Sequence, residues 1–395
     1  MKQEGGMRSF RHIVAPLRIF QGPDSLEWLG RELERVKSRR AVIFCGASLA
    51  RDGSPLHLVR TAMGDRCAGV FAGVVAHSPL PVVEAAAAQL QRLEADAVVA
   101  VGGGSAIVTA RAASILLAEN GDARSLCTSP DGTGELRSPR LPAAKLPQLV
   151  VPTTPTTATV KAGSAVLDPV DGKRLALFDP KTRAGAVFIH PELVGTPPRD
   201  LVVSAGLNTL AMAVEGLMSR SGDAFSDALL MHAVRLLAQH LPAASRGDDL
   251  PARLELVMAS LVCGHGTDHT GAGIAIPLGH AISARFHIDN GIANAIVMPH
   301  VLRFNAGAAT GGLDKLAAAL GISLPAGGAP LEAVNEALGT IFAQLGIAPR
   351  LRDVGVSRES LPDLAAVSMQ DWFVRDNPRP VRDASQLLQV LEQAW

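Results

Sequence analysis

Gly102-Gly103-Gly104-Ser105 is the stretch whose residue types most plainly suit a ligand. It closes an apolar run, AVVAV (97–101), and a helical stretch begins at once. Glycines let the backbone approach a phosphate closely, and the first N–H groups and positive end of a helix then hold it. Ser105 is placed to cap that helix and to donate to a phosphate oxygen. The same spacing also suits a tight strand–helix turn with no ligand, and it is not the GxGxxG of a first βαβ unit. His265 and His269, four apart on an expected helix with Asp268 beside them, raise the question of a metal. Two polar residues on a helix surface or at a helix end is the reading preferred for them, and His287, Asp289 and His300 are scattered rather than clustered. Cys45, Cys67, Cys127 and Cys263 lie far apart with no CxxC, which suggests neither a disulfide framework nor a thiolate zinc site. The chain has no tyrosine, so a tyrosine acid is excluded.

The elements that must position such residues follow from periodicity. AVIFCG (41–46), GVFAGVV (69–75) and AVVAV (97–101) read as buried strands, too short and too β-branched for helices. Helices are expected between them, at 54–63 and 81–94. Strand and helix in alternation imply parallel strands with crossover helices. LPQLVVPTT (146–154) is a further strand, and VKAGSAVLDP with KRLALFD reads as a hairpin around Asp171-Gly172. Beyond IHPELVGTPPRD, Pro191, Pro197 and Pro198 punctuate a linker, and almost everything after it has helical spacing. The expected organisation is an α/β domain over 1–194 and an all-helical domain over 195–395, with the ligand cleft between them. A chain of 395 residues, 48% hydrophobic and 19% charged, suits a packed enzyme and not a disordered chain. Lys+Arg 37 against Asp+Glu 37 removes the usual electrostatic footprint for nucleic acid or an anionic membrane. No apolar run reaches ~18 residues, and MKQEGGMRSF lacks the apolar core of a signal peptide, so a soluble cytoplasmic enzyme is expected.

Several motifs in fixed order carry a family resemblance. They are GGGS (102–105), VPTTPTTAT (151–159), Lys173 after the hairpin turn, IHPEL (189–193), SAGLNTLAMAVEG (204–216), DAFSDALLMHAVRLL (223–237) and GHAISARFHIDNGIANAIVMPHVLRFN (279–305). Over nearly the whole chain this order resembles the iron-dependent alcohol dehydrogenase superfamily. His77-Ser78-Pro79, Asn208 and the tail NPRPVRDASQLLQVLEQAW (377–395) are more similar to its maleylacetate reductase branch. The resemblance implies an N-terminal dinucleotide-binding α/β domain and a C-terminal all-α domain, the dehydroquinate synthase-like fold. It also implies a metal held by one Asp and three His. The matching positions here are Asn208, Met212, Ile276 and Asn290. Amide oxygens are neutral and weak, a thioether is soft, and Ile has no donor. The family metal is therefore expected to be absent, and no other metal is expected in its place.

For the cofactor, the resemblance implies NADPH or NADH held by Gly102, Gly103, Gly104 and Ser105, with Thr153, Thr154 and Lys173 as further contacts. The family's GGGSxxDxAK reads GGGSAIVTAR here, with Val108 and Arg111 at the departures, and its Gly-Thr-Gly-Ser-Glu run is replaced by TTATV. The family's frequent Asp after the first strand falls on Gly46. Losing that carboxylate favours NADP or mixed use, with Arg39, Arg40 or Arg51 as the positive partner. His280 matches a cleft histidine of the family that is not a metal ligand in most members. A hydride added to a carbonyl makes an alkoxide that needs a proton, and without a Lewis-acid metal His280 is the candidate donor. Asn208 and Asn290 offer amide hydrogen bonds to the same oxygen, and Arg379 offers a partner for a substrate carboxylate. The expectation is a metal-independent, homodimeric NAD(P)H-dependent reductase of a small carbonyl or unsaturated oxo-acid, similar to maleylacetate reductases. The alternative keeps the scaffold for non-redox acid–base chemistry (a lyase, isomerase or hydrolase) or for ligand binding alone.

Overall fold

The computed structural model describes residues 9–132, 135–170, 172–247, 249–309, 311–324 and 328–395. Asp171, half of the expected Asp-Gly turn, and residues 1–8 of the N-terminal stretch lie outside them. In chain order the strands are β1 (Arg18–Gln21), β2 (Ala41–Gly46), β3 (Cys67–Val74), β4 (Ala97–Gly102), the two-residue β5 (Ser129–Pro130) and β6 (Leu136–Arg137), β7 (Gln148–Pro152), β8 (Gly163–Leu167), β9 (Arg174–Phe178) and β10 (Ala184–Ile189). β2, β4 and β7 are almost wholly buried, as runs of Val, Ile and Ala covered on both faces must be. The helices α1 (Leu29–Arg35), α2 (Leu56–Met63), α3 (Leu80–Arg92) and α4 (Gly104–Glu119) supply the crossovers. The result is a six-stranded parallel sheet in the order β1-β10-β7-β4-β2-β3, and β8 and β9 form the antiparallel hairpin. β1 and β10 were not expected from the sequence. β10, AGAVFI, hides its pattern behind small residues, and β1 is a four-residue edge strand with Ile19 44% exposed.

From Pro191 onward the chain is helical: α5 (Pro191–Val194), α6 (Arg199–Met218), α7 (Ala224–Ser245), α8 (Leu250–Thr270), α9 (Ala275–Phe286), α10 (Asn290–Asn305), α11 (Gly312–Ala319), α12 (Pro330–Gln344), α13 (Leu361–Ser368) and α14 (Ala384–Ala394). α6 is the one described helix long and apolar enough to cross a membrane, contrary to the expectation that no such stretch exists. It is a core helix: 83% of its most apolar window is buried by its neighbours. The sheet's two faces carry separate apolar clusters, and Val257 and Leu261 of α8 join the one that contains α3 and α4. α8 is thus the helix that ties the two halves together. A site between them is framed by the carboxyl ends of the strands on one side and α6, α9 and α10 on the other.

Candidate active site

β2 leads outward to β3, whereas β4 leads the other way, to β7. Where chain order reverses like this, the carboxyl ends of the strands open a crevice in which α/β sheets bind dinucleotides. Gly46 and Gly102 end the two strands that flank it. Gly102 takes φ +145°, which side chains rarely adopt. A Cβ on Gly103 would stand 2.8 Å from Thr154 Oγ1, and one on Gly104 would stand 3.1 Å from Thr156 Oγ1. The glycines therefore let the loop after β7 press on the turn, and Thr153 N–H donates to Gly102 O at 3.0 Å. Turn and loop form one wall at the N-terminus of α4, whose first amides have no partner within the helix. This arrangement fits a pyrophosphate. Ser105 does not cap α4, as had been expected: Gly103 holds the cap position without a side-chain bond. Ser105 lies inside the first turn, and its carbonyl accepts from Ser78 Oγ at 3.2 Å.

The basic residues assigned to the cofactor side separate. Arg39 and Arg40 precede β2, whose far end carries Gly46, so they lie roughly 20 Å from it at 3.3 Å per residue. Only Arg51 follows Gly46 at the same end. Arg111 is fully buried and donates to Ala158 O and Gly163 O, both at 2.6 Å, so it braces the loop from behind. Lys173 is exposed, and its neighbour Arg174 is half-buried and feels the charge of Asp371.

The four family metal positions are occupied by their own packing. Met212 Sδ accepts from Thr157 Oγ1 at 3.4 Å, Asn208 Oδ1 accepts from Asn294 Nδ2 at 2.9 Å, and Ile276 is buried. Gly291 permits this closeness: a Cβ there would strike Ser204 O and stand 3.0 Å from Asn208 N. Asn290 and Asn294 thereby sit against α6, and the Oδ1 of each is buried without a hydrogen-bond partner. Two amides, a thioether and a hydrocarbon do not fit a divalent cation. They do fit a polar ligand whose oxygen takes an amide proton or whose hydroxyl donates to an amide oxygen. Asn294 was missed in the sequence, although its i,i+4 spacing from Asn290 puts both on one helix face.

His280 Nδ1 stands 2.8 Å from Asp371 Oδ2. Asp371 is itself fixed, because its Oδ1 accepts from Phe373 N–H at 3.1 Å. A neutral His280 therefore keeps its proton on Nδ1 and leaves Nε2 for a reacting oxygen. Burial holds the pKa of His280 below its ordinary value, and the bond to Asp371 opposes that shift. His77 is also lowered, first by burial and then by Arg174 and His280, with Asp289 opposing. It occupies a left-handed turn (φ +64°), and the next residue, Ser78, is anchored to the start of α4. Arg174 and His280 are therefore each within reach of the charges of Asp371 and His77. Arg379 is not among them: its guanidinium lies 4.2 Å from the Phe304 ring centroid and donates to Phe304 O.

Behind the Asn cluster, Glu215 on α6 accepts from Gly273 N–H at 3.0 Å and Ala275 N–H at 2.7 Å, which joins α6 to the start of α9. Burial raises its pKa to about 7 despite these donors. A raised folded-state pKa means that folding retains the proton. That stabilisation is complete below the unfolded value near 4.5 and is lost as pH rises through about 7. Glu215→Gln should flatten this part of the profile. Thermal melts at pH 5 and pH 8 check it, and the wild type should lose more stability between them than the variant.

With this geometry in place, the class is defined. Family models describing the iron-containing alcohol dehydrogenase family match residues 16–191 and, for its C-terminal part, 202–395. The chain is 30% identical to lactaldehyde reductase of Escherichia coli K12 over 332 residues, 82% of this chain and 84% of that one. It is 27% identical to maleylacetate reductase of Sphingobium indicum over 391 residues, 98% and 97%. The sulfoacetaldehyde reductase of Bifidobacterium kashiwanohense, solved with NAD+, shares the fold (TM-score 0.85, 21% identity, 98% of this chain and 99% of that chain). The chain belongs to the iron-containing alcohol dehydrogenase family and is an oxidoreductase of the alcohol dehydrogenase type.

Proposed function

We propose that this chain is a metal-independent NAD(P)H-dependent reductase of a small carbonyl or unsaturated oxo-acid, of the kind exemplified by maleylacetate reductases. The observation that carries the reading is the His280–Asp371 pair together with an interlocked Asn208–Asn294 pair at the position where a metal would otherwise polarise the substrate. When bound at the Gly102–Ser105 turn, the nicotinamide cofactor supplies the hydride. Asn208 and Asn290 orient the substrate oxygen, His280 Nε2–H protonates it, and Asp371 stabilises the imidazolium that gives the proton. Arg174 pairs with a substrate carboxylate. Balanced charge supports a small-molecule partner and neither nucleic acid nor membrane, and the enzyme works as a cytoplasmic homodimer.

A second reading keeps the pocket and drops hydride transfer. What favours it is the loop at 156–160, which closes on itself and on Met212: Thr156 caps Ala158, Thr159 Oγ1 donates to Thr156 O, and Thr157 bonds Met212. Fluorescence titration with NADH and NADPH separates the two. Binding of either below millimolar concentration is expected, with NADPH at least comparable, and binding of neither would replace the first reading with the second. Gly46→Asp should weaken NADPH selectively, since a Cβ there meets only Val74 O at 3.5 Å and the carboxylate would face the 2′-phosphate. An unchanged NADPH-to-NADH ratio would remove Gly46 from the ribose pocket.

A further inference from the structure

His12, Asp223 and His269 come from three distant parts of the chain and converge on one carboxylate oxygen. His12 lies before β1 among residues 9–17, which form no helix or strand, Asp223 is the N-cap of α7, and His269 is in the last turn of α8. His12 Nδ1 stands 3.0 Å and His269 Nε2 2.9 Å from the same Asp223 Oδ2. The ring centroids of the two histidines are 4.6 Å apart, and the three ligand atoms lie within 4.8 Å of one another. Bonds of about 2.0–2.1 Å to a tetrahedral zinc separate its ligands by about 3.3 Å. A cation would therefore need each imidazole nitrogen to move about 0.3–0.4 Å away from Asp223 Oδ2, with the two nitrogens, already within 4.8 Å of each other, about 3.3 Å apart.

The carboxylate is prepared for this. Its other oxygen, Oδ1, accepts from Phe225 N–H and Ser226 N–H, both at 2.8 Å, which fixes its plane and leaves Oδ2 directed at the histidines. Such supporting bonds orient a ligand and tune its affinity. The edge of Phe225, 4.7 Å away, packs against the His12 ring. Two imidazoles and one carboxylate suit a zinc-class cation better than calcium or magnesium, which prefer all-oxygen shells. The place is also separate from the cleft. Ser219, just past α6, donates to Thr270 O at 2.8 Å, so the group lies beside the far end of α6. That is about 16 Å along the helix from Asn208, at 1.5 Å per residue.

We propose that His12, Asp223 and His269 bind one zinc-class divalent cation, which fastens the segment before β1 to the ends of α7 and α8. The i,i+4 pair His265 and His269 is not the basis of the site. Asp268 beside them is engaged by Arg183 at 2.8 Å, and the second histidine is His12. The role is structural, linking the strap of the α/β domain to the helical domain.

The test is equilibrium dialysis of chelator-stripped full-length protein against Zn2+, with melting temperature read in parallel. One equivalent should bind and raise the melting temperature. His12→Ala and His269→Ala should each weaken binding by about 100-fold or more, since loss of even a supporting group costs 10–100-fold. Asp223→Asn, which keeps the helix cap through its amide oxygen, covers the case in which a histidine variant folds poorly, and it should lose Zn2+ as well. Asn290→Ala should retain the full equivalent. Absence of uptake at micromolar Zn2+ would show that the three residues form a hydrogen-bonded group only and would overturn the proposal. Uptake that survives both histidine variants, or is lost with Asn290, would do the same.

Discussion

His280→Ala is expected to lower kcat for carbonyl reduction by about 10²–10⁴, the usual contribution of a positioned proton donor. Affinity for NAD(P)H should change little, because the Gly102–Ser105 turn opens α4 in the α/β half, whereas His280 lies on α9 in the helical half. Burial lowers the pKa of His280, so reduction should fall as pH rises through a limb below the ordinary histidine value, and the variant should lack that limb. Asp371→Asn tests positioning. The bond to Asp371 is what raises the pKa of His280, so its loss should move the limb to lower pH as well as reduce kcat. If His280 were only a packed core histidine, the variant would melt earlier and lose rate modestly at every pH. A stable His280→Ala protein with wild-type kcat would remove it from the mechanism.

The second large effect is expected at Gly291. Its Cα lies so close to α6 that any Cβ strikes the Ser204 carbonyl, backbone that no rotamer change can move. Gly291→Ala must push α10 off α6, at a cost of about 1–3 kcal/mol or more, as for other overpacked contacts. The displacement also parts Asn290 and Asn294 from Asn208, so kcat should fall in whatever fraction stays folded. Chemical denaturation and single-turnover rates check the two halves. Wild-type stability would mean that the helices are not held at this distance.

The α/β half was legible where burial imposes long β-branched runs: β2, β4 and β7 fall within or close to the expected stretches, and the β8–β9 hairpin was marked by its turn chemistry. β1 and β10 escaped because one is too short and the other too small in its side chains for periodicity to register. The Gly102–Ser105 turn was readable because strand, glycines and helix are contiguous. The partners around it were not. Asp371 is 91 residues from His280, and His12 is 211 residues from Asp223. Nothing in local spacing connects residues that only the tertiary fold brings together.

The most direct test of the account is the dependence of reductase activity on metal occupancy. Protein stripped by a chelator, and His12→Ala protein stripped in the same way, would be assayed for NADH- and NADPH-dependent reduction of small oxo-acids, with bound iron and zinc measured in each sample. Undiminished kcat is expected in both after stripping, with no gain on adding Fe2+ or Zn2+. Activity that falls in proportion to the metal removed, and returns with it in the His12→Ala protein, would contradict the account by placing a working cation among Asn208, Met212, Ile276 and Asn290.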